Sequence, residues 1–166
     1  MIVVIPPGSQ KIIINQPAIA SHTLIIKNQK TMATKIFVNL PVKDLNRSVV
    51  FFTKLGYTFN PQFTDENATC MIIGEEIFVM LLVEKFFKGF IPNEIADATK
   101  TTESIICLSC ASREDVDTIV RKAVEAGGKI YKEPQDHGFM YGHGYQDLDG
   151  HLWEVMWMDT NSAPQI

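Results

Sequence analysis

Three histidines and one glutamate near the C-terminal end have side chains that could bind a metal or move a proton. Two of the histidines, His143 and His151, precede Glu154, which stands in an otherwise apolar run, residues 152–156 (LWEVM). A carboxylate in such a run must find donors, become protonated or contact water in a cleft, because an unpaired buried charge is costly. With a raised pKa, Glu154 could act as a general base. The alternative is a structural pairing with a nearby Tyr, His or Lys.

The spacing of these residues does not give a simple chelate. His151 and Glu154 are three residues apart, and on a strand such residues point to opposite faces. His143 lies between Gly142 and Gly144, whose small size would let a ligand approach the backbone. A His143–Glu154 pair across neighbouring strands is the alternative, if the register allows it. Otherwise we expect His143 to line a wet cleft and His151 to be a solvated residue after a turn.

The cysteines are expected to be structural. Cys70, Cys107 and Cys110 cannot pair completely, and free thiols are typical of the reducing cytoplasm. Cys107 and Cys110 form a C-x-x-C motif, which elsewhere carries out redox chemistry or binds zinc. Here the motif falls in a strand-like run, and no second C-x-x-C is present in the sequence to complete a zinc site.

Aromatic and methionine side chains exceed what one small helix-backed sheet needs. A cleft lined by apolar groups and a few polar ones is typical of sites for small organic molecules. The residues expected to contact such a ligand are Phe37, Asn39, Met80, Tyr141, His143 and Met156. Three phenylalanines in the segment that follows residue 83 could close over such a ligand: Phe86, Phe87 and Phe90. Plain packing of the core and of a dimer interface is the alternative.

The composition limits the classes of protein to consider. The chain has 166 residues, 46% of them hydrophobic, and a net charge of −4. Such a chain is long enough for one core and too apolar for intrinsic disorder. Its acidic balance argues against a nucleic-acid partner, and no apolar stretch approaches the roughly 20 residues that span a bilayer. Together with the cysteines, these features favour a cytoplasmic protein without a nucleic-acid or membrane partner.

Residues 1–31 differ from the rest of the chain, since they contain three lysines but no Asp or Glu. They lack the early charge of a secretory signal and the arginines of a transit peptide. Met32 begins a segment that resembles a natural start. We therefore expect residues 1–31 to be an N-terminal extension without a catalytic role, ahead of a domain at 32–166. The alternative is an extra strand, because residues 11–15 and 23–27 are rich in β-branched side chains.

Two copies of one pattern position the side chains described above. In a first module, residues 34–83, a strand at 35–42 is followed by an amphipathic helix at 44–55 and three further strands. The same order is predicted for a second module, residues 103–159, and a glycine follows each helix. Each module then has a helix on one face of a sheet, so two modules can curl around a shared cleft. Open curved sheets leave edges to cover, which favours a homodimer.

Two motifs carry a resemblance to a known superfamily. The first is VKDL at residues 42–45, followed by FF at 51–52 and LG at 55–56, and the second is QDLDGHLWEV at 146–155. They resemble the vicinal oxygen chelate superfamily, which includes glyoxalase I, bleomycin-resistance proteins, fosfomycin-resistance enzymes and extradiol dioxygenases. The resemblance implies an α+β fold in which two βαβββ modules form curved mixed sheets around a shared cleft.

The resemblance also implies positions for metal ligands, because family enzymes hold a divalent metal with His, Gln or Glu from both modules. These positions correspond to Phe37, a residue within 79–82, Ile105 and Glu154. Of these, Glu154 alone suits a divalent ion, whereas a catalytic ion needs about three protein ligands. We therefore expect neither a cofactor nor a family metal centre.

The incomplete ligand set favours a glyoxalase/bleomycin-resistance-like protein that binds a small organic molecule in an aromatic-lined cleft. The first alternative is a metal-dependent glyoxalase-like lyase or dioxygenase-type enzyme that uses Glu154 as base or ligand. The second alternative is a dimeric interaction domain whose open sheets pair with another copy.

Overall fold

The computed structural model describes residues 34–162, so the expected extension at residues 1–31 lies outside the described residues and stays a prediction. The first module contains β1 (Ile36–Val42), α1 (Leu45–Leu55), β2 (Thr58–Asn60), β3 (Ala68–Gly74) and β4 (Ile77–Val83). A connection that begins with α2 (Glu84–Phe87) leads to the second module. That module contains β5 (Ile105–Ser109), α3 (Arg113–Glu125), β6 (Lys129–Ile130), β7 (Gln135–Asp136), β8 (Met140–Gln146) and β9 (Leu152–Met158). Within the described range, no helix has the length and apolar character needed to cross a membrane.

Each module forms one mixed sheet. The strand order is β1-β4-β3-β2 in the first sheet and β5-β9-β8-β6 in the second, where β7 also pairs with β8. The first strand of each module runs parallel to the last, and the remaining pairs are antiparallel. The predicted α+β fold with two modules is confirmed. The short strand β7 was not predicted; the Arg113 guanidinium on α3 binds both carboxylate oxygens of Asp136 and holds it there.

Both long helices begin and end where the sequence predicts. The Asp44 carboxylate accepts a hydrogen bond from the backbone N–H of Arg47 at 3.0 Å and so caps α1. The Ser112 hydroxyl accepts a hydrogen bond from the backbone N–H of Asp115 at 3.1 Å and so caps α3. Gly56, which follows α1, has a φ of 109°, in the left-handed region where a side chain would be strained.

The core lies between the helices and one face of each sheet. Alternate strand residues are buried there, as the period of two requires: Leu40, Val42, Met71, Val79, Leu81, Tyr145, Trp153 and Val155. Phe52 of α1 contacts Trp153 of the second module, with ring centroids 5.2 Å apart. The helix of one module therefore packs against the sheet of the other. We term the sheet faces turned away from the helices the open faces.

The second motif also fastens the two modules together. The Asp149 carboxylate is buried and accepts three hydrogen bonds from the start of the first helix: from the Lys43 backbone N–H at 3.1 Å, the Arg47 guanidinium at 2.9 Å and the Ser48 hydroxyl at 3.0 Å. Three donors compensate the buried charge, which would otherwise be costly. Part of the family-like motif is thus explained by packing between modules.

Candidate functional site

Glu154 lies on the open face of the second sheet, where it pairs with Cys107 on β5 and Gly144 on β8. Its side chain is 28% exposed. Its Oε1 accepts a hydrogen bond from the Tyr131 hydroxyl at 3.1 Å and another from the Lys132 ammonium. This is the pairing with Tyr and Lys that the sequence left as an alternative, and a role for Glu154 as a base stays a prediction.

Tyr131 and Lys132 follow β6 and were not singled out in the sequence. The signal that could have found them is Gly144, because a glycine inside a strand marks a close approach. A Cβ at Gly144 would lie 2.7 Å from the Tyr131 hydroxyl oxygen, so the tyrosine occupies the space that the missing side chain leaves. From the sequence, this space was expected to let a ligand approach the backbone, whereas the structure fills it with the phenol of Tyr131.

The charge of Glu154 affects the pKa values of two neighbouring side chains. Burial, followed by the charge of Glu154, raises the pKa of the Tyr131 phenol. Burial and then the Glu154 charge also raise the pKa of the Cys107 thiol, against the opposing effect of Lys132. A thiol with a raised pKa is a poor nucleophile at neutral pH. Cys110, which directly follows β5, packs against the core, whereas Cys107 lies on the open face, so the C-x-x-C pair is divided as its spacing on an extended chain predicts.

The register identifies the counterpart of Glu154 in the first module. Glu154 on β9 pairs with Cys107 on the parallel strand β5. At the equivalent place in the first sheet, Met80 on β4 pairs with Asn39 on the parallel strand β1. The ligand position that the resemblance places within residues 79–82 is therefore Met80.

The donor set does not fit the metal of the superfamily's enzymes. Phe37, Met80 and Ile105 have no side-chain oxygen or nitrogen, and hard divalent ions require such donors. Across residues 34–162, no three His, Cys, Asp or Glu side chains come together in a group that could hold an ion. The cation beside Glu154 is the ammonium of Lys132.

The residues predicted to contact a ligand are divided between faces. Phe37, Asn39 and Met80 share the open face of the first sheet, where Phe37 is 51% exposed and stacks on Phe78 with ring centroids 4.9 Å apart. Met156 lies with Glu154 on the open face of the second sheet.

Tyr141 and His143 lie on the opposite, helix-facing side of the second sheet. His143 pairs with Val155, so the His143–Glu154 pair considered from the sequence does not form. A shift of one residue in register moves a side chain to the other face. The His143 Nδ1 accepts a hydrogen bond from the backbone N–H of Gly144 at 2.9 Å, and burial lowers its pKa. The Tyr141 hydroxyl donates to Asp117 on α3 at 2.7 Å.

A cavity of about 350 Å³ lies between β1 and β5, and we term it the junction cavity. Its walls are β1, β5, the start of β9 and the connection after α2. Among the predicted ligand-binding residues, Asn39 lines it. Of the three phenylalanines expected to close over a ligand, Phe87 reaches it, whereas Phe86 and Phe90 are exposed and pack on each other with centroids 5.1 Å apart.

His151 forms part of the wall of this cavity, and Asp147 holds it in place. The Asp147 Oδ1 accepts from the backbone N–H groups of Asp149, Gly150 and His151. Its Oδ2 accepts from the Trp153 indole and lies 3.0 Å from the His151 Nδ1. Burial opposes protonation of His151, but the hydrogen bond and charge of Asp147, with the charge of Asp149, raise its pKa overall. His151 is thus a paired residue with a side chain 12% exposed, not the solvated one expected.

Comparisons with known proteins agree with this architecture. Residues 34–74 match a family model described as bleomycin resistance protein-like N-terminal. A solved hypothetical protein from S. aureus is 33% identical, with a TM-score of 0.64 over 74% of this chain and 92% of that one. No curated protein sequence matches the chain significantly.

More distant solved structures share the fold. A glyoxalase/bleomycin resistance protein/dioxygenase family enzyme from Burkholderia phytofirmans is 12% identical, with a TM-score of 0.62 over 74% of this chain and 96% of that one. A fosfomycin resistance protein from Listeria monocytogenes is 17% identical, with a TM-score of 0.55 over 76% and 93%. The family model, the duplicated modules and these neighbours agree with the motifs in the sequence. The chain belongs to the vicinal oxygen chelate superfamily.

Proposed function

We propose that this protein binds a small organic molecule in the junction cavity without the metal of the superfamily's enzymes. The cavity itself carries the proposal, because its volume of about 350 Å³ is within the range of small-molecule sites. Val38, Ile106 and Leu152 provide apolar wall, while Asn39 and Ser104 provide polar groups. Such a mixture orients a ligand through a few hydrogen bonds and binds its body by apolar contact.

Lys132 supports the metal-independent part of the proposal. Its ammonium compensates the charge of Glu154 at the one family ligand position that keeps a carboxylate. The Tyr131 hydroxyl donates to the same oxygen. An ion would have to displace both donors and would then find Met80, not a second carboxylate, at the counterpart position.

The test uses two naphthalene probes, 2-naphthoate and naphthalene-2-carboxamide, and isothermal titration of the full chain. Leu152→Trp should fill the junction cavity and weaken binding of both probes by about tenfold or more. Val124→Trp is the matched control, since Val124 is exposed on α3 outside the cavity and the same bulk there should leave affinity unchanged. Equal affinities in the two variants, or no saturable binding by the unmodified protein, would contradict the proposal.

Acid–base chemistry at Glu154 is the second candidate function, as in a glyoxalase-like lyase. It is favoured by one observation: a carboxylate, a phenol and an ammonium meet on a partly exposed sheet face, and such groups transfer protons in enzymes. Turnover of methylglyoxal with glutathione that is lost in Glu154→Gln would support this candidate. Equal turnover in Glu154→Gln would exclude it.

A homodimer formed through the open faces is also proposed. Large apolar side chains of these faces are exposed on the first strand of each module: Phe37 on β1 and Ile105 on β5. Light scattering should give twice the mass of the chain, and Phe37→Asp should shift the protein towards the monomer. Phe63→Asp is the control, because Phe63 is even more exposed than Phe37 but lies in the turn after β2. A monomer before substitution would contradict the proposal.

The three described cysteines, Cys70, Cys107 and Cys110, are free thiols, which supports a proposed location in the reducing cytoplasm. Fractionation of cells that produce the protein tests this location, and recovery outside the cytoplasmic fraction would contradict it.

A further inference from the structure

We propose that the Asp147–His151 pair is the anion-recognition group of the junction cavity, and that the ligand is a small apolar carboxylate. The inference rests on the proposed function, because it names the chemical class of the molecule that this cavity binds. It adds a residue, His151, that neither the sequence motifs nor the family positions assign to a ligand.

The first step concerns which ring nitrogen is available. The His151 Nδ1 lies 3.0 Å from the Asp147 Oδ2, so the hydrogen of Nδ1 is directed to that carboxylate. A carboxylate that also accepts from an indole and three backbone N–H groups is held firmly and cannot turn away. The remaining nitrogen, Nε2, makes no hydrogen bond to any residue between 34 and 162. It is the atom of this side chain that can bind a ligand.

The second step concerns charge. When His151 is protonated, Nε2 becomes a donor with a positive charge, and Asp147 stabilises that form as a carboxylate stabilises imidazolium in other proteins. A ligand carboxylate accepts a charge-assisted hydrogen bond from such a group, which is about twice as strong as a neutral one. An uncharged amide of the same shape gains only the weaker bond.

The charged groups around the protonated His151 leave it able to bind a ligand carboxylate. The charged groups around the two cavities that share His151 are Lys43, Glu84, Lys85, Lys88, Glu94, Asp97, Glu103, Asp147 and Asp149. Three of the acidic groups have their own cations: Glu94 is paired with Lys88, Asp97 with Lys100, and Asp149 with Arg47. They therefore compete weakly with a ligand for His151.

The apolar walls define the rest of the ligand. Four side chains from β1, β5 and β9 provide hydrocarbon surface: Val38, Leu40, Ile106 and Leu152. A cavity of about 350 Å³ accommodates a body of one or two rings, and its hydrocarbon walls favour an apolar body over a hydrated one. The structure therefore fits an apolar acid better than a sugar, a nucleotide or a polyanion.

The experiment compares 2-naphthoate with naphthalene-2-carboxamide by isothermal titration of the full chain at about pH 6 and about pH 8.5. The unmodified protein should prefer the carboxylate by about tenfold at the lower pH and lose most of that preference at the higher pH. His151→Gln places an uncharged N–H donor close to the position of the His151 Nε2, so it removes the charge but keeps a hydrogen bond to a ligand. It should abolish the preference while leaving the affinity for the carboxamide within about twofold.

A second measurement does not depend on the variant. Proton NMR of the unmodified protein should show that saturating 2-naphthoate raises the titration midpoint of His151, whereas the carboxamide leaves it unchanged. If both probes bind the unmodified protein and His151→Gln equally well, the inference is wrong and the proposed function stands. If neither probe binds the unmodified protein, both fail.

Discussion

The open faces of the two sheets share one backbone arrangement and differ in chemistry. In the first sheet, the partly buried Met80 and its exposed neighbour Asn39 lie beside the stacked pair Phe37 and Phe78. In the second sheet, the equivalent position holds Glu154, and the chain after β6 crosses the face to bring two donors to it. A methionine needs no polar partner there, whereas a half-buried carboxylate does.

The difference shows how a duplicated fold can have a carboxylate at one family ligand position while the side chains at the other positions do not suit a metal. Lys132 and Tyr131 are supplied by the same module as Glu154, so the second module satisfies its own carboxylate. The first module has a methionine, Met80, at the counterpart position. One of the two equivalent positions therefore has no carboxylate, and the carboxylate at the other is paired with donors of its own module.

The largest expected difference in stability is between the turn before β9 and the equivalent turn before β4. Asp147→Ala should lower the free energy of unfolding by about 3–5 kcal/mol, because it leaves buried donors without their acceptor. Glu75→Ala is the matched control in the first module, where the turn residue is exposed, and it should cost less than about 0.5 kcal/mol. Urea denaturation measures both, and equal costs would contradict this account of the turn.

Exchanging the residues at the equivalent positions 80 and 154 should change the free energy of unfolding by unequal amounts. Met80→Glu should lower the free energy of unfolding by about 2 kcal/mol, because Lys35, which lies over Phe78, is already paired with Glu76. Glu154→Met should change stability by less than about 1 kcal/mol, since Lys132 is partly exposed and can be hydrated. Chemical denaturation of both variants checks this order, and a greater loss of stability in Glu154→Met than in Met80→Glu would contradict it.

A smaller effect is expected at the two glycines of β8. Gly144→Ala places a Cβ against the Tyr131 ring and should push the phenol away from Glu154, at a cost of about 1 kcal/mol. The pKa of Tyr131, now raised, should fall towards its ordinary value in ultraviolet titration. Gly142→Ala is the control, because its Cβ would meet Met156 at an ordinary 3.7 Å. Equal pKa values of Tyr131 in the two variants would show that its contact with Glu154 does not depend on the missing side chain at Gly144.

The pKa values of His143 on β8 and His151 before β9 should be shifted in opposite directions. The pKa of His151 is raised, so its contribution to stability is present below the unfolded value of about 6.5 and is lost as the pH rises through the folded value. The pKa of His143 is lowered, so its contribution is present above that value and is lost as the pH falls. Proton NMR should place the two midpoints on either side of the ordinary value, and coinciding midpoints would contradict both assignments.

The smallest expected effect is that of divalent ions. Zn²⁺, Ni²⁺ or Mn²⁺ should not raise the melting temperature, because an ion stabilises a protein only when it binds the native state more tightly. Differential scanning fluorimetry with and without EDTA measures this. Stoichiometric binding that Glu154→Gln abolishes would restore a metal site at this position.

The sequence by itself determined the duplicated order of elements, the helix caps and the residue types at the family's ligand positions. These features depend on local periodicity and on single residues such as Asp44, Gly56 and Phe37, which can be read without knowing what lies across the fold. The tertiary structure decided the rest: which face His143 occupies, that Tyr131 and Lys132 reach Glu154, and that Asp147 holds His151 at a cavity. These outcomes depend on register and on contacts between strands and loops. A shift of one residue moves a side chain to the other face, so local pattern could not determine them.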